Sequence, residues 1–116
     1  MKRFLFVMRQ LPHSGIKLQE QLDVILTTAA FDQKVSLLFL DNGVFQLKKQ
    51  QQAQHYGLKD TLAIFNALAI YDIQQLYVEI ESLRERGLKT ADLALPVVEI
   101  YRKDFAVFSQ QFDFIG

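Results

Sequence analysis

Short continuous apolar runs alternate with amphipathic stretches along this chain, and the alternation predicts its elements. Phe4 to Met8 is apolar at every position, as a strand buried on both faces requires. Leu11-Pro12-His13-Ser14-Gly15 interrupts it as a loop, with Ser14 placed to cap the helix that follows. Between Ile16 and Phe31, Leu18, Leu22, Ile25, Leu26 and Ala29 recur at helical spacing and share one face. Val35 to Leu40 is the strongest strand signal, and it ends in an Asp41-Asn42-Gly43 turn where Gly43 offers positive φ. Lys48 to His55, with four Gln and two Lys, is the most polar stretch and is expected as an exposed loop.

The second half repeats the rhythm. Leu58, Leu62, Phe65 and Ala69 predict a helix over Leu58 to Ala69, and the alternation of Gln75 to Ile80 predicts a strand. Ser82 to Arg86 is a short helical turn, closed by Gly87 in the left-handed conformation. Leu95 to Tyr101 is expected as a fourth strand, with Pro96 near its start, where no central ladder bond is lost. Lys103 to Gln111 is expected as a helix with Phe105, Phe108 and Phe112 at helical spacing, and Phe112 to Ile115 as a last strand. The order β-α-β-α-β-α-β-α-β predicts an α/β fold: a three-layer α/β/α sandwich with a mainly parallel five-stranded sheet, one domain over residues 1–116.

Composition narrows the function. Half of the 116 residues are hydrophobic, with ten Phe, four Tyr, no Trp and no Cys. This is either a Phe-rich core or a core plus an apolar patch for a partner. Thirteen Lys and Arg balance thirteen Asp and Glu, so there is no global field to hold a polyanion, and direct nucleic-acid binding is disfavoured. Low net charge also favours association. No apolar run has the length of a membrane span, and Arg9, Gln10 and Pro12 break the opening run too early for a signal peptide. A cytoplasmic protein that does not enter a membrane is expected.

Chemistry in a parallel sheet belongs outside the carboxyl ends of the strands. Four loops leave that edge: Pro12 to Gly15, Asp41 to Phe45, Ile80 to Leu83 and Arg102 to Asp104. The first lacks the glycine spacing of a dinucleotide site and the Lys of a phosphate loop. His13 and His55 stand in no metal-ligand spacing, and no Ser sits in a nucleophile elbow, so no metal, cofactor or catalytic residue is assigned. Glu79 and Glu81 could share a face at the end of a strand, where both are expected to be partly wet. Arg84-Glu85-Arg86 is either a solvated face with local pairing or a contact surface. Val44 and Phe45 directly follow a turn: they are either exposed for a partner or folded back as a staple.

Six elements in order carry a resemblance that spans nearly the whole chain. They are Met1-Lys2-Arg3 with its apolar strand, Pro12-His13, Asp41-Asn42-Gly43-Val44-Phe45-Gln46, Tyr71-Asp72-Ile73, Ser82-Leu83-Arg84-Glu85-Arg86-Gly87-Leu88, and Phe112-Asp113-Phe114-Ile115. Together they resemble a TusC/DsrF-type subunit of the DsrE/DsrF-like sulfur-relay family. The resemblance implies a DsrE/DsrF-like fold and a cytoplasmic hetero-oligomer with TusB-like and TusD-like subunits. That complex would pass persulfide sulfur through a TusE-like acceptor towards 2-thiolation of a tRNA wobble uridine. A DsrF-like role in dissimilatory sulfur oxidation is the alternative, and a small-ligand-binding α/β domain is a third reading. The catalytic paralogues carry a sulfur-bearing Cys near the end of the third strand, and counting back from Arg86-Gly87 puts that position at or beside Glu79. A carboxylate has no persulfide chemistry. The expectation is a subunit that is not itself an enzyme, with an interface at Val44, Phe45, Tyr71 and Arg84.

Overall fold

The computed structural model describes residues 2–10, 16–31, 33–48, 75–93 and 95–116. Within them a five-stranded sheet forms, in the order β4-β3-β2-β1-β5. Its strands are β1 (Arg3–Met8), β2 (Lys34–Phe39), β3 (Gln75–Glu79), β4 (Val98–Ile100) and β5 (Phe114–Ile115). Every pairing is parallel, so the expected mainly parallel sheet is parallel throughout these residues. The register sets Phe6 beside Leu37 and Leu37 beside Leu76. The predicted helix over Leu58 to Ala69 and the polar loop beyond Lys48 lie outside the described residues, as do the Pro12 to Gly15 loop, His55 and Tyr71.

Because strand side chains alternate between faces, the continuous apolar runs feed two cores. Phe6, Met8, Val35, Leu37, Phe39, Leu76 and Val78 face one way, in one cluster with Leu18, Leu22 and Ile25 of helix α1 (Ile16–Ala30). Leu5, Leu38 and Leu40 face the other way, against Tyr77, Ile100, Phe105, Phe108 and Phe112. The two α1 positions with the widest apolar reach on its outer side, Ile16 and Val24, stay exposed.

The last third of the chain is less regular than its periodicity predicts. The strand expected over Leu95 to Tyr101 shrinks to Val98–Ile100, beginning two residues after Pro96, which cannot donate to a ladder. The helix expected over Lys103 to Gln111 is a 3₁₀ turn (Arg102–Asp104) followed by one short helix, α3 (Phe105–Ser109). Its Phe108 meets Tyr77 and Phe112 edge-on, with ring centroids 4.7 Å and 5.3 Å apart. Phe112 therefore caps the second core instead of starting a strand, and β5 is only Phe114–Ile115. Backbone bonds from Val7 N–H to Gly116 and from Gly116 N–H to Leu5 seat it on β1.

The Asp41-Asn42-Gly43 turn also departs from expectation. Asp41, at φ 51°, takes the left-handed conformation, whereas Gly43 is not among the positive-φ glycines. The segment Asp41–Leu47 then winds as a 3₁₀ helix directly over the carboxyl end of β1. A Cβ on Gly43 would lie 1.8 Å from the Met8 carbonyl oxygen, so this glycine serves close backbone approach instead of turn geometry. The expectation at Gly87 holds: its φ is 68°, and its N–H and that of Leu88 close the preceding helix by bonding Arg84 and Leu83 carbonyls.

Candidate functional site

The sheet's carboxyl edge gathers the polar groups of three strands around one carboxylate. β3 ends at Glu79 because the chain turns there into helix α2 (Ile80–Glu85), with Glu79 as its extended N-cap residue. One helical turn on, Ser82 projects back over the end of the strand. Its hydroxyl donates to Glu79 Oε1 at 2.6 Å, and its Oγ accepts the backbone N–H of Asp41 at 2.8 Å. Both side chains are enclosed: Glu79 is 6% exposed and Ser82 0%.

Arg102, just beyond β4, completes the arrangement. Its Nε and Nη2 donate to Glu79 Oε1 at 3.0 and 2.8 Å. Its outer side donates to Glu85, from Nη2 to Oε1 at 2.8 Å and from Nη1 to Oε2 at 3.4 Å. Its own backbone N–H bonds Glu81 Oε1 at 2.9 Å. The ends of β2, β3 and β4 are thus tied through one hydroxyl, one carboxylate and one guanidinium. On the outer rim Arg86 donates from Nε to Asn42 Oδ1 at 3.1 Å and from Nη1 to the Ser82 carbonyl at 3.2 Å.

The charges respond to these bonds. The backbone N–H of Arg102, then the Arg102 and Arg84 charges, hold Glu81 below the ordinary carboxylate value. The Arg102 side chain does the same to Glu85, and Glu85 followed by Glu79 raises Arg102 in turn. A lowered folded-state pKa means stability that is present above the unfolded value, here 4.5, and lost as pH falls through the lower folded value. Wild-type protein is therefore expected to lose thermal stability below about pH 4.5 more steeply than an Arg102→Gln variant. Melting curves between about pH 5 and pH 3 check this, and parallel curves for the two proteins would contradict it.

The sequence-predicted residues divide among three environments. Arg84 is exposed on α2, as an interface position requires. Phe45 is half-buried and packs against the α1-side core. Val44 is 0% exposed and belongs to that core, which corrects the expectation of an apolar pair open to a partner. The cause is Gly43: by letting the 3₁₀ segment press onto Met8, it carries Val44 inward. Tyr71 lies outside the described residues. Glu79 is buried and ion-paired, not partly wet, and α2 begins between it and Glu81, whose carboxylate accepts the Arg102 backbone N–H instead. Glu85 does meet Arg86 locally, at 3.6 Å, but its tighter partner is Arg102.

Nothing in the sequence pattern by itself marks Ser82 and Arg102 as partners of Glu79. The Arg102 to Asp104 loop stands at the carboxyl edge in the sequence reading, but a 23-residue separation hides the pairing. For Ser82, its place three residues after a strand-terminal Glu is the nearest available signal.

The site's chemistry is that of a brace. Its buried hydroxyl has both its proton and an acceptor lone pair engaged, so it is not poised for nucleophilic attack. Among the described residues no group of His, Cys, Asp and Glu could hold a metal ion. Among them, too, no helix is long and apolar enough to cross a membrane. Near the reversal of strand order between β1 and β5 lies a shallow groove of about 410 Å³, lined by Phe6, Val24 and Phe114 and by the polar residues Lys17, Glu20 and Gln21.

Comparison with known proteins agrees with this fold. A family model described as the DsrE/DsrF-like family matches residues 2–113. The intracellular sulfur oxidation protein DsrF of Allochromatium vinosum is 38% identical over 97% of this chain and 79% of its own length. A protein TusC homolog of Pseudomonas aeruginosa is 46% identical over 80% of this chain and 78% of its own length. Protein TusC of Shigella dysenteriae serotype 1 is 41% identical over 76% of this chain and 74% of its own. In three dimensions the chain resembles the ychN protein of E. coli, with a TM-score of 0.79 at 14% identity, covering 99% of this chain and 97% of that one. At that identity the likeness speaks for the fold alone.

Proposed function

The chain belongs to the DsrE/DsrF-like family, and from that premise we propose that it is a non-catalytic subunit of a TusBCD-like sulfur-relay complex. The complex passes persulfide sulfur towards 2-thiolation of a tRNA wobble uridine. This subunit's partners are TusB-like and TusD-like chains in the cytoplasm, with a TusE-like acceptor reached through the complex. It makes no direct contact with nucleic acid. The similarity to a protein TusC and to a protein TusC homolog supports the reading.

The observation that carries the non-catalytic role is Glu79. At the strand end where the resemblance puts the paralogues' sulfur-bearing Cys, this chain has a carboxylate neutralised by Arg102, and it has no Cys elsewhere in its sequence. Sulfur carried as a persulfide needs a thiolate. The role left for the subunit is to complete and position its partners. A DsrF-like subunit of a sulfur-oxidation complex is the second reading, favoured by the 38% identity over nearly the whole chain.

Arg84 and Phe45 are the interface positions that remain accessible or partly so. Co-purification of tagged chain with its TusB-like and TusD-like neighbours tests them. Arg84→Glu is expected to lower recovery of partners about ten-fold, as loss of an interface arginine does. Phe45→Asp should do the same, with circular dichroism confirming that each variant is folded. Undiminished recovery with both variants would remove this edge from the interface.

A further inference from the structure

Glu79 Oε1 receives three donors: the Ser82 hydroxyl at 2.6 Å and Arg102 Nη2 and Nε at 2.8 and 3.0 Å. Three convergent donors around one oxygen, two of them on a guanidinium, are the equipment of an anion receptor. Each donor is also held by something other than Glu79. Ser82 is fully buried, and its oxygen accepts the Asp41 N–H. Arg102 is anchored by its backbone bond to Glu81 and by Glu85 across its outer side.

We infer that the end of β3 is a preorganised receptor for one small carboxylate or oxyanion, and that in this chain the Glu79 side chain is its built-in occupant. The receptor is a property of Ser82 and Arg102, so it outlasts removal of the carboxylate. A short side chain at position 79 would leave a cavity of carboxylate size, open to a ligand bearing the same charge and the same two oxygens. Formate supplies the carboxylate that Glu79→Ala removes, without its methylene. The carboxylates of Glu85 and Glu81 at the rim oppose anion entry and hold the expected affinity to the order of millimolar. The inference stands apart from the sulfur-relay reading, since it concerns the donors and not the partners.

Thermal unfolding of Glu79→Ala in sodium formate, against sodium chloride at equal ionic strength, tests it. Formate at about ten times its dissociation constant is expected to raise the variant's melting temperature by about 4–8 °C, saturably. Wild type, with the receptor filled, should not respond beyond the chloride control, nor should Glu79→Ala/Arg102→Gln, which lacks the guanidinium. Should Glu79→Ala fail to fold, refolding yield with formate and with chloride becomes the reading, and a formate-specific recovery is expected. Equal effects of the two salts, equal responses of variant and wild type, or no recovery on refolding would each overturn the inference.

Discussion

Gly43→Ala is expected to destabilise the protein by about 3 kcal/mol or more, as overpacking against an unyielding neighbour does. A methyl group there meets the Met8 carbonyl oxygen at 1.8 Å and its carbon at 2.5 Å. Both are backbone atoms at the end of β1, a strand paired on both sides, so neither can rotate away as a side chain would. Relief requires lifting the whole 41–47 segment, which carries the buried Val44 and Leu47 out of the core. Gly87→Ala is the instructive contrast. Nothing lies within 4 Å of its Cβ, and only the left-handed backbone resists, at about 1–2 kcal/mol. Urea unfolding of both variants measures the difference. Equal midpoints would mean that the contact of Gly43 with β1 is not the constraint described.

Glu79→Ala is the second large effect. A buried ion pair that loses one partner costs about 3–5 kcal/mol when both charges are enclosed. Here the Arg102 side chain is 49% exposed and keeps Glu85, so solvent screening brings the expected loss to about 2 kcal/mol. Most of it comes from Ser82, whose buried hydroxyl loses its acceptor, and from the cavity left behind. Glu79→Gln keeps an acceptor oxygen and the volume, and should lose about half as much. A Glu79→Ala midpoint within experimental error of wild type would show that the three strand ends are held by packing alone.

These two positions also show where sequence reading reached and where it stopped. β1 and β2 were legible from short apolar runs, β3 from its alternation, and α1 because its five apolar positions share a face. Gly87 was legible because a helix end is a local event. Val44 was not: an apolar residue after a turn looks the same whether the next backbone segment is near or far, and only the Gly43–Met8 approach decides it. The Glu79–Arg102 pair was hidden for the same reason, since it joins residues brought together by the β3–β4 pairing. In the last third the periodicity predicts longer elements than form, and Phe105, Phe108 and Phe112 cover the sheet without a long helix to hold them.

A chain that works as one subunit among others shows it in its assembly state. The most direct test is the absolute solution mass of the purified chain, 13.4 kDa as a single copy, after co-expression with its TusB-like and TusD-like neighbours. One stable larger species containing all three chains, with the persulfide found on a partner, is the expected result. A chain that stays a monomer or pairs only with itself while those neighbours are present would contradict it.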